Sequence, residues 1–379
     1  MSGAPTPAAK PPAQGWPRRA LAIALTLALG GAGGYAFLLL EMPLPWMMGA
    51  MCVTITAALA GAPLRAPGRL RDVLIAVIGL MVGSAFTPEI LAQASQWLPS
   101  ITAILVYSTV MIIGLGWLLR RFGRYDPATA FCSAAPGGFT EMVLLGGSMG
   151  GDERVISLMH SVRIVITVVT IPFWFRFFHD YVPAGTAAFG RITDLSAGGA
   201  VMLAASAVVG YFLARLARLP LPALIGPMAV SALMHAVGLS DARPSGEMVA
   251  LAQVVIGANV GCRFLGTRLR EIASVMRTAT IMALLMIAVA VLMAAVLHGL
   301  TGLSFEALIL AFAPGGVAEM NVITVALHID PAFVATHHLV RLGFLLVLAP
   351  LALKLFGSRR WTGGGSAASG GKAGSGEDD

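Results

Sequence analysis

Displaced by 178 positions, the sequence lies over itself. Ala135-Pro136-Gly137-Gly138, with Glu141-Met142 just after, returns as Ala313-Pro314-Gly315-Gly316 with Glu319-Met320. His160 and Arg163 return as His338 and Arg341, Asp152 as Asp330, and Pro172 as Pro350. Gly79, Gly83 and Phe86 match Gly257, Gly261 and Phe264; one position out of phase, Leu44-Pro45 and Gly49 match Leu221-Pro222 and Gly226. Biased composition does not produce so many coincidences in one register. The chain must therefore fold as two like units.

Water is not the solvent for most of their surface. Of 379 residues, 57% are hydrophobic and 11% charged, against about 25% charged in soluble domains, and the mean hydropathy is +0.84. Each half carries six apolar segments, near 20–40, 44–60, 72–87, 99–119, 126–150 and 154–175, then 195–214, 220–237, 247–264, 278–298, 305–327 and 332–356. Many are long enough to span a ~30 Å hydrocarbon core as a helix. They are continuously apolar rather than alternating, which selects helices over a barrel, and 44 glycines suit close helix packing. The expected fold is all-α and integral to the membrane.

A formal charge of +7 raises nucleic acid as a partner. The basic residues instead sit in short loops between apolar runs, with no basic arm or recognition helix, which is a topogenic pattern. Cys52, Cys132 and Cys262 have no paired spacing, so neither a disulfide framework nor a zinc site is expected. Seven histidines offer no metal-ligand spacing, and no nucleophile triad or phosphate-binding loop appears. No cofactor and no enzymatic activity are expected. Residues 1–19 and 358–379 are low in complexity and are expected to be disordered tails, around repeats at 20–184 and 190–357. The run from Ala20 to Leu40 lacks a small-residue cleavage site and reads as a retained helix.

The basic loops also count the crossings. Lys10, Arg18 and Arg19 place the N-terminus in the cytoplasm, and Arg65, Arg69 and Arg71, then Arg120, Arg121 and Arg124, follow at two-crossing intervals. Full crossing by the fifth segment would put Arg215, Arg218, Arg268, Arg270 and Arg277 outside. If that segment enters and leaves on one side, these fall inside with Lys354, Arg359 and Arg360, leaving little outside beyond Arg176, Arg191 and Arg243. Homologous loops then carry opposite charge bias, as inverted repeats require. Five crossings plus one re-entrant or broken helix per half are expected, with both termini cytoplasmic.

The breaks are the candidate site. Proline removes a donor and two glycines add freedom, so Pro136, Gly137 and Gly138, and Pro314, Gly315 and Gly316, should interrupt their helices. Matched Gly/Pro-interrupted segments in two halves point to a secondary transporter's binding site; the plainer account is a pair of packing kinks. Glu141 and Glu319 either cap the following half-helices or carry a proton or cation. Arg163 and Arg341 lie roughly 15 Å into the last segments at the helical rise, with His160 and His338 three residues earlier on the same face. Either they pair with the glutamates, as buried charges usually do, or they hold an anionic substrate while the glutamates take the proton. Asp152 and Asp330 should cap the last helices. Ser84 and Asn259 either line a cavity or serve packing. Asn321 has only Val143 as counterpart, so the halves are not equivalent.

On Leu44-Pro45-Trp46-Met47-Met48-Gly49, Pro136-Gly137-Gly138 with Glu141, Leu221-Pro222-Ala223-Leu224-Ile225-Gly226-Pro227 and Pro314-Gly315-Gly316 through His338, the chain resembles the AbrB membrane family over residues 20–357. Members of that family carry this duplication and are variously labelled ammonia monooxygenases, regulators of gene expression or transporters. The resemblance implies no more about function than those labels. An oxygenase would need metal ligands and a direct transcription factor a DNA-binding module, and the residues offer neither. The expected function is a bacterial inner-membrane secondary transporter of a small, charged solute, working by alternating access with proton or ion coupling. The competing class is a membrane-embedded sensor that influences gene expression indirectly. Expected partners are the solute or ion and the bilayer, with homo-oligomerisation left open and no direct nucleic-acid contact.

Overall fold

A computed structural model describes residues 16–178, 190–267 and 269–357. Residues 1–15 and the whole expected C-terminal tail, 358–379, with Lys10, Arg359 and Arg360 in them, and Arg268 lie outside the described residues; the N-terminal tail expected to reach residue 19 is helical from Trp16, where the first membrane helix already begins. Those described form fifteen α-helices and no strand. The first half contains α1 (Trp16–Leu39), α2 (Pro45–Leu59), α3 (Gly68–Gly83), the short α4 (Pro88–Gln93), α5 (Leu98–Arg121), α6 (Pro127–Ala134), α7 (Phe139–Ser148) and α8 (Glu153–Phe178). The second runs α9 (Ala197–Leu216), α10 (Pro222–Ala236), α11 (Gly246–Cys262), α12 (Leu269–Thr301), α13 (Phe305–Phe312), α14 (Val317–Ala326) and α15 (Pro331–Gly357). Apart from α4, the order of elements in the second half follows that of the first. The protein is a multi-pass, all-α membrane protein.

Among the described residues, six helices are long and apolar enough to cross a bilayer by length and composition: α1, α5, α8, α9, α12 and α15. The sequence led us to expect five crossings per half. Of the other expected crossings, α2, α3, α10 and α11 have 15–17 residues and so span about 22–26 Å, a shortfall against a ~30 Å hydrocarbon core that a bilayer meets by thinning locally. Much of their apolar surface is buried in protein, while Val73 of α3, Leu233 of α10 and Leu251 of α11 are exposed. Gln253 apart, the buried residues of α11 are all apolar or glycine, and include Val255, Ile256, Ala258 and Val260, whereas α1 and α9 are mostly exposed along their apolar lengths. Hydropathy cannot tell burial in protein from burial in lipid.

Local chemistry sets the starts of these elements. Pro45 and Pro222 open α2 and α10, where a missing N–H costs nothing, and each follows a leucine in the left-handed region, Leu44 at φ +48° and Leu221 at φ +47°. Asp126 caps α6 by accepting from the Thr129 N–H at 2.8 Å, and Ser304 caps α13 by accepting from the Ala307 N–H at 3.2 Å.

Glycines join the helices reciprocally. Gly33 of α1 and Gly49 of α2 meet backbone to backbone, as do Gly210 of α9 and Gly226 of α10. Between halves, a methyl at Gly79 of α3 would meet the Leu224 carbonyl of α10 at 2.6 Å, and one at Gly257 of α11 would strike the Met47 carbonyl of α2. Gly83 lies on Ser231, and Gly261 on Thr54. Each of these glycine contacts thus occurs twice with the partners exchanged, the pattern of an isologous interface. Small residues allow this close approach, and it sets the core that holds the broken helices.

Candidate functional site

Both predicted breaks are present. α6 stops at Ala134 and α7 starts at Phe139; α13 stops at Phe312 and α14 starts at Val317. Pro136, Gly137 and Gly138 are buried, as are Pro314 and Gly315, while Gly316 is half-buried. The two breaks differ in backbone: Gly138 is left-handed at φ +64°, which glycine tolerates, whereas Gly316 is extended at φ −75° and ψ 150°.

A helix that ends inside the membrane leaves carbonyls without partners. Here the last helices supply them. His160 Nε2 donates to the Cys132 carbonyl at 2.8 Å, and an Arg163 Nη1 proton goes to the Ala135 carbonyl. In the second half, His338 Nε2 donates to the Leu310 carbonyl at 2.9 Å, and Arg341 donates to the carbonyls of Ala313 at 2.8 Å and Gly315 at 3.4 Å. Each imidazole Nδ1 also meets its arginine Nη2 at 3.1 Å. A carbonyl only accepts and a guanidinium only donates, so both rings are neutral with the proton on Nε2. His160 and His338 are therefore fixed links in the capping of α6 and α13, and the positive arginines stand at negative helix ends.

This replaces the expected Glu141–Arg163 and Glu319–Arg341 pairs. Unmet carbonyls take the arginines, and no ion pair joins these partners among the described residues. Glu141 is half-buried at the start of α7. Glu319 is only 5% exposed, and its Oε1 accepts from Arg263 Nη2 at 3.3 Å. Arg263, just past α11, was not anticipated. It stands where the first half has Ala85, inside the matched stretch that ends in Phe86 and Phe264. That unmatched charge was the available signal.

The two breaks are brought together. Arg341 lies against the first, 3.5 Å from where a methyl on Gly137 would sit, while it caps the second. The guanidinium of Arg263 lies 4.2 Å from the ring centroid of Phe139, the first residue of α7. Arg163 is within electrostatic reach of Arg341, Arg263, Tyr107 and Glu319. Asn321 on α14 is 1% exposed, and neither of its amide atoms has a partner. Ser84 lines a cleft of about 280 Å³ with Arg243, His328 and Asp330. A cleft of about 500 Å³ lies between Arg191 and Ser245. Neither cleft is lined by the breaks.

The caps expected at the last helices are in place. Asp152 Oδ1 accepts from the N–H groups of Arg154 at 2.9 Å and Val155 at 3.1 Å, and Asp330 Oδ1 from those of Ala332 at 2.9 Å and Phe333 at 3.1 Å. Replacing either aspartate by alanine is expected to cost about 0.5–2 kcal/mol. Thermal unfolding in detergent should show similar losses for the two; a loss at one position alone would contradict their equivalence.

Similar proteins share most of this chain. It is 26% identical over 348 residues to the "Uncharacterized protein YhjN" of Bacillus subtilis (strain 168), covering 86% of this chain and 90% of that one. It is 24% identical over 318 residues to the "Putative regulator AbrB" of Escherichia coli (strain K12), covering 83% and 90%. The family described as "Transition state regulatory protein AbrB" matches residues 46–357, which span both broken helices and every residue of the site, and the chain belongs to the AbrB family.

Proposed function

We propose that this protein is a secondary transporter of the bacterial inner membrane. It carries a small, charged solute unchanged, by alternating access with proton or ion coupling. The observation that carries this reading is the meeting of two broken helices, with Arg341 capping one break while lying against the other. Irregular backbone at membrane depth is tolerated where it is held by protein or lines a cavity, and paired breaks at a repeat interface are the transporter arrangement. The reciprocal contacts between halves and the arrangement of basic loops support inverted repeats with both termini cytoplasmic. Glu141 and Glu319 are the carboxylates placed to carry the coupling proton or ion.

The competing reading, a membrane sensor acting on gene expression through a partner, draws on the printed name of the Escherichia coli relative. Proteoliposomes loaded with a pH-sensitive dye separate the two. With an imposed proton gradient and a panel of small organic acids, amines and amino acids, the wild type should move protons with at least one solute. Glu319→Gln should return the signal to the protein-free background. If no solute in the panel moves protons or accumulates, the transporter reading is lost and the sensor reading gains.

A further inference from the structure

We infer that Arg263 is the core of a binding site for a small oxyanion, and that the anion and the Glu319 carboxylate compete for it. This deepens the transporter reading and rests on it. Three arginines gather at the breaks, and arginine stays charged in proteins. Arg163 and Arg341 are committed to the carbonyls of Ala135, Ala313 and Gly315. Arg263 is committed differently. It reaches no carbonyl; one of its terminal nitrogens meets Glu319 at 3.3 Å, while the other, Nη1, is buried without a partner.

Unmet polar capacity concentrates here. Of ten buried side-chain polar atoms without a partner among the described residues, five belong to Ser133, Arg163 and Asn321, on the helices that form or cap the breaks, and to Arg263, which faces them from the end of α11. A buried donor left unmade is expensive, so such a cluster marks where a polar ligand completes the structure. Charge decides its sign. Against three guanidinium groups stands one buried carboxylate, Glu319, with Glu141 half-exposed. A cation would add to the surplus; an anion removes it. Arginine's flat fork suits a carboxylate or phosphate group held by two parallel hydrogen bonds, and Phe139 covers one face of Arg263, which leaves the edge for binding.

The competition follows from the geometry. While Glu319 is charged, it occupies one arm of the fork. A proton taken from water onto its carboxylate discharges it and frees both arms, so the anion and the proton enter together. The elements packed against α14 carry Arg69, Arg71 and Asp72 on α3, Glu247 and Cys262 on α11 with Arg263 just past it, Glu153, Arg154, His160, Arg163 and Arg176 on α8, and His337, His338, Arg341 and Lys354 on α15. His160 and His338 are held neutral by their hydrogen bonds, and among the described residues the acid paired with Arg263 is Glu319, so it is the discharge of Glu319 that frees Arg263.

The test uses the full-length protein purified in detergent, with binding read as a dose-dependent rise in melting temperature. The probes are the sodium salts of acetate, succinate, phosphate and sulfate, against sodium chloride at equal ionic strength and lysine hydrochloride as a cation. At least one oxyanion should stabilise the wild type, more strongly at lower pH; the carboxylate and the phosphate or sulfate arms identify the group. Arg263→Gln should weaken that binding about 10–100-fold, the worth of a charge-assisted hydrogen bond. Glu319→Gln should tighten it about tenfold and flatten its pH dependence, a gain that damage to the fold cannot mimic. The inference is overturned if no oxyanion in the panel binds, if lysine alone binds, if Arg263→Gln binds as the wild type does, or if Glu319→Gln weakens binding. Flux in proteoliposomes fails separately: an anion bound and never moved removes the transporter and keeps the site, while movement of an uncharged or cationic solute alone does the reverse.

Discussion

Replacing Arg341 by methionine is expected to cost about 2–6 kcal/mol, because two buried carbonyls would each lose their donor at about 1–3 kcal/mol. Arg341 is 1% exposed, and its guanidinium reaches Ala313 at 2.8 Å, Gly315 at 3.4 Å and His338 Nδ1 at 3.1 Å. Methionine keeps much of the apolar stem and removes all of these donors. Against a net stability of about 5–15 kcal/mol, such a loss should lower the melting temperature by several degrees or more. Arg341→Lys should recover part of it, since one ammonium can serve a carbonyl but cannot reproduce the fork. Arg163→Met should cost less, as the carbonyl that Arg163 caps is that of Ala135 alone. Melting curves in detergent, with light scattering for aggregation, measure the series. If Arg341→Met melted within a degree or two of the wild type, the arginine would not be what allows the chain to break there.

The second large effect belongs to the glycine crossings. A methyl at Gly226 would run into the backbone of Gly210, and one at Gly49 into that of Gly33. Backbone cannot turn aside as a side chain can, so the helices themselves must part. Gly226→Val and Gly49→Val should each cost about 3 kcal/mol or more, at the upper end of overpacking effects. Gly31 lies in α1 beside the same crossing, and a methyl there meets nothing within 4 Å. Gly31→Ala should therefore be neutral or slightly stabilising, which separates crowding from any general dislike of a longer side chain in α1. Equal melting temperatures for Gly31→Ala and Gly49→Val would refute the close crossing.

Those glycines were legible in the sequence for the reason that they matter. Gly49 and Gly226, and Gly79 and Gly257, recur at matched positions. The breaks were legible too, because Pro136 and Pro314 cannot continue a helix in any environment. What they are bonded to was not. A sequence displays charged side chains and hides orphaned carbonyls, so Arg163 and Arg341 seemed to need the nearby glutamates when the broken backbone already needed them. Arg263 was missed because the candidates were residues matched between the halves, and its counterpart in the first half is Ala85. The left-handed Gly138 against the extended Gly316 could not be read at all, since identical tetrapeptides take those two shapes through what surrounds them.

The exchanged contacts carry a consequence for how the molecule is made and where it came from. Gly79 leaves the ribosome roughly 145 residues before its neighbour Leu224, a wait of about 7–30 s at ordinary synthesis rates. During that interval the first half holds grooves lined by glycine whose fillers do not yet exist, so its completion is a post-insertion event. The same exchange describes a half-length ancestor. The exchanged glycine contacts are ones that such a chain would make with a second molecule of itself.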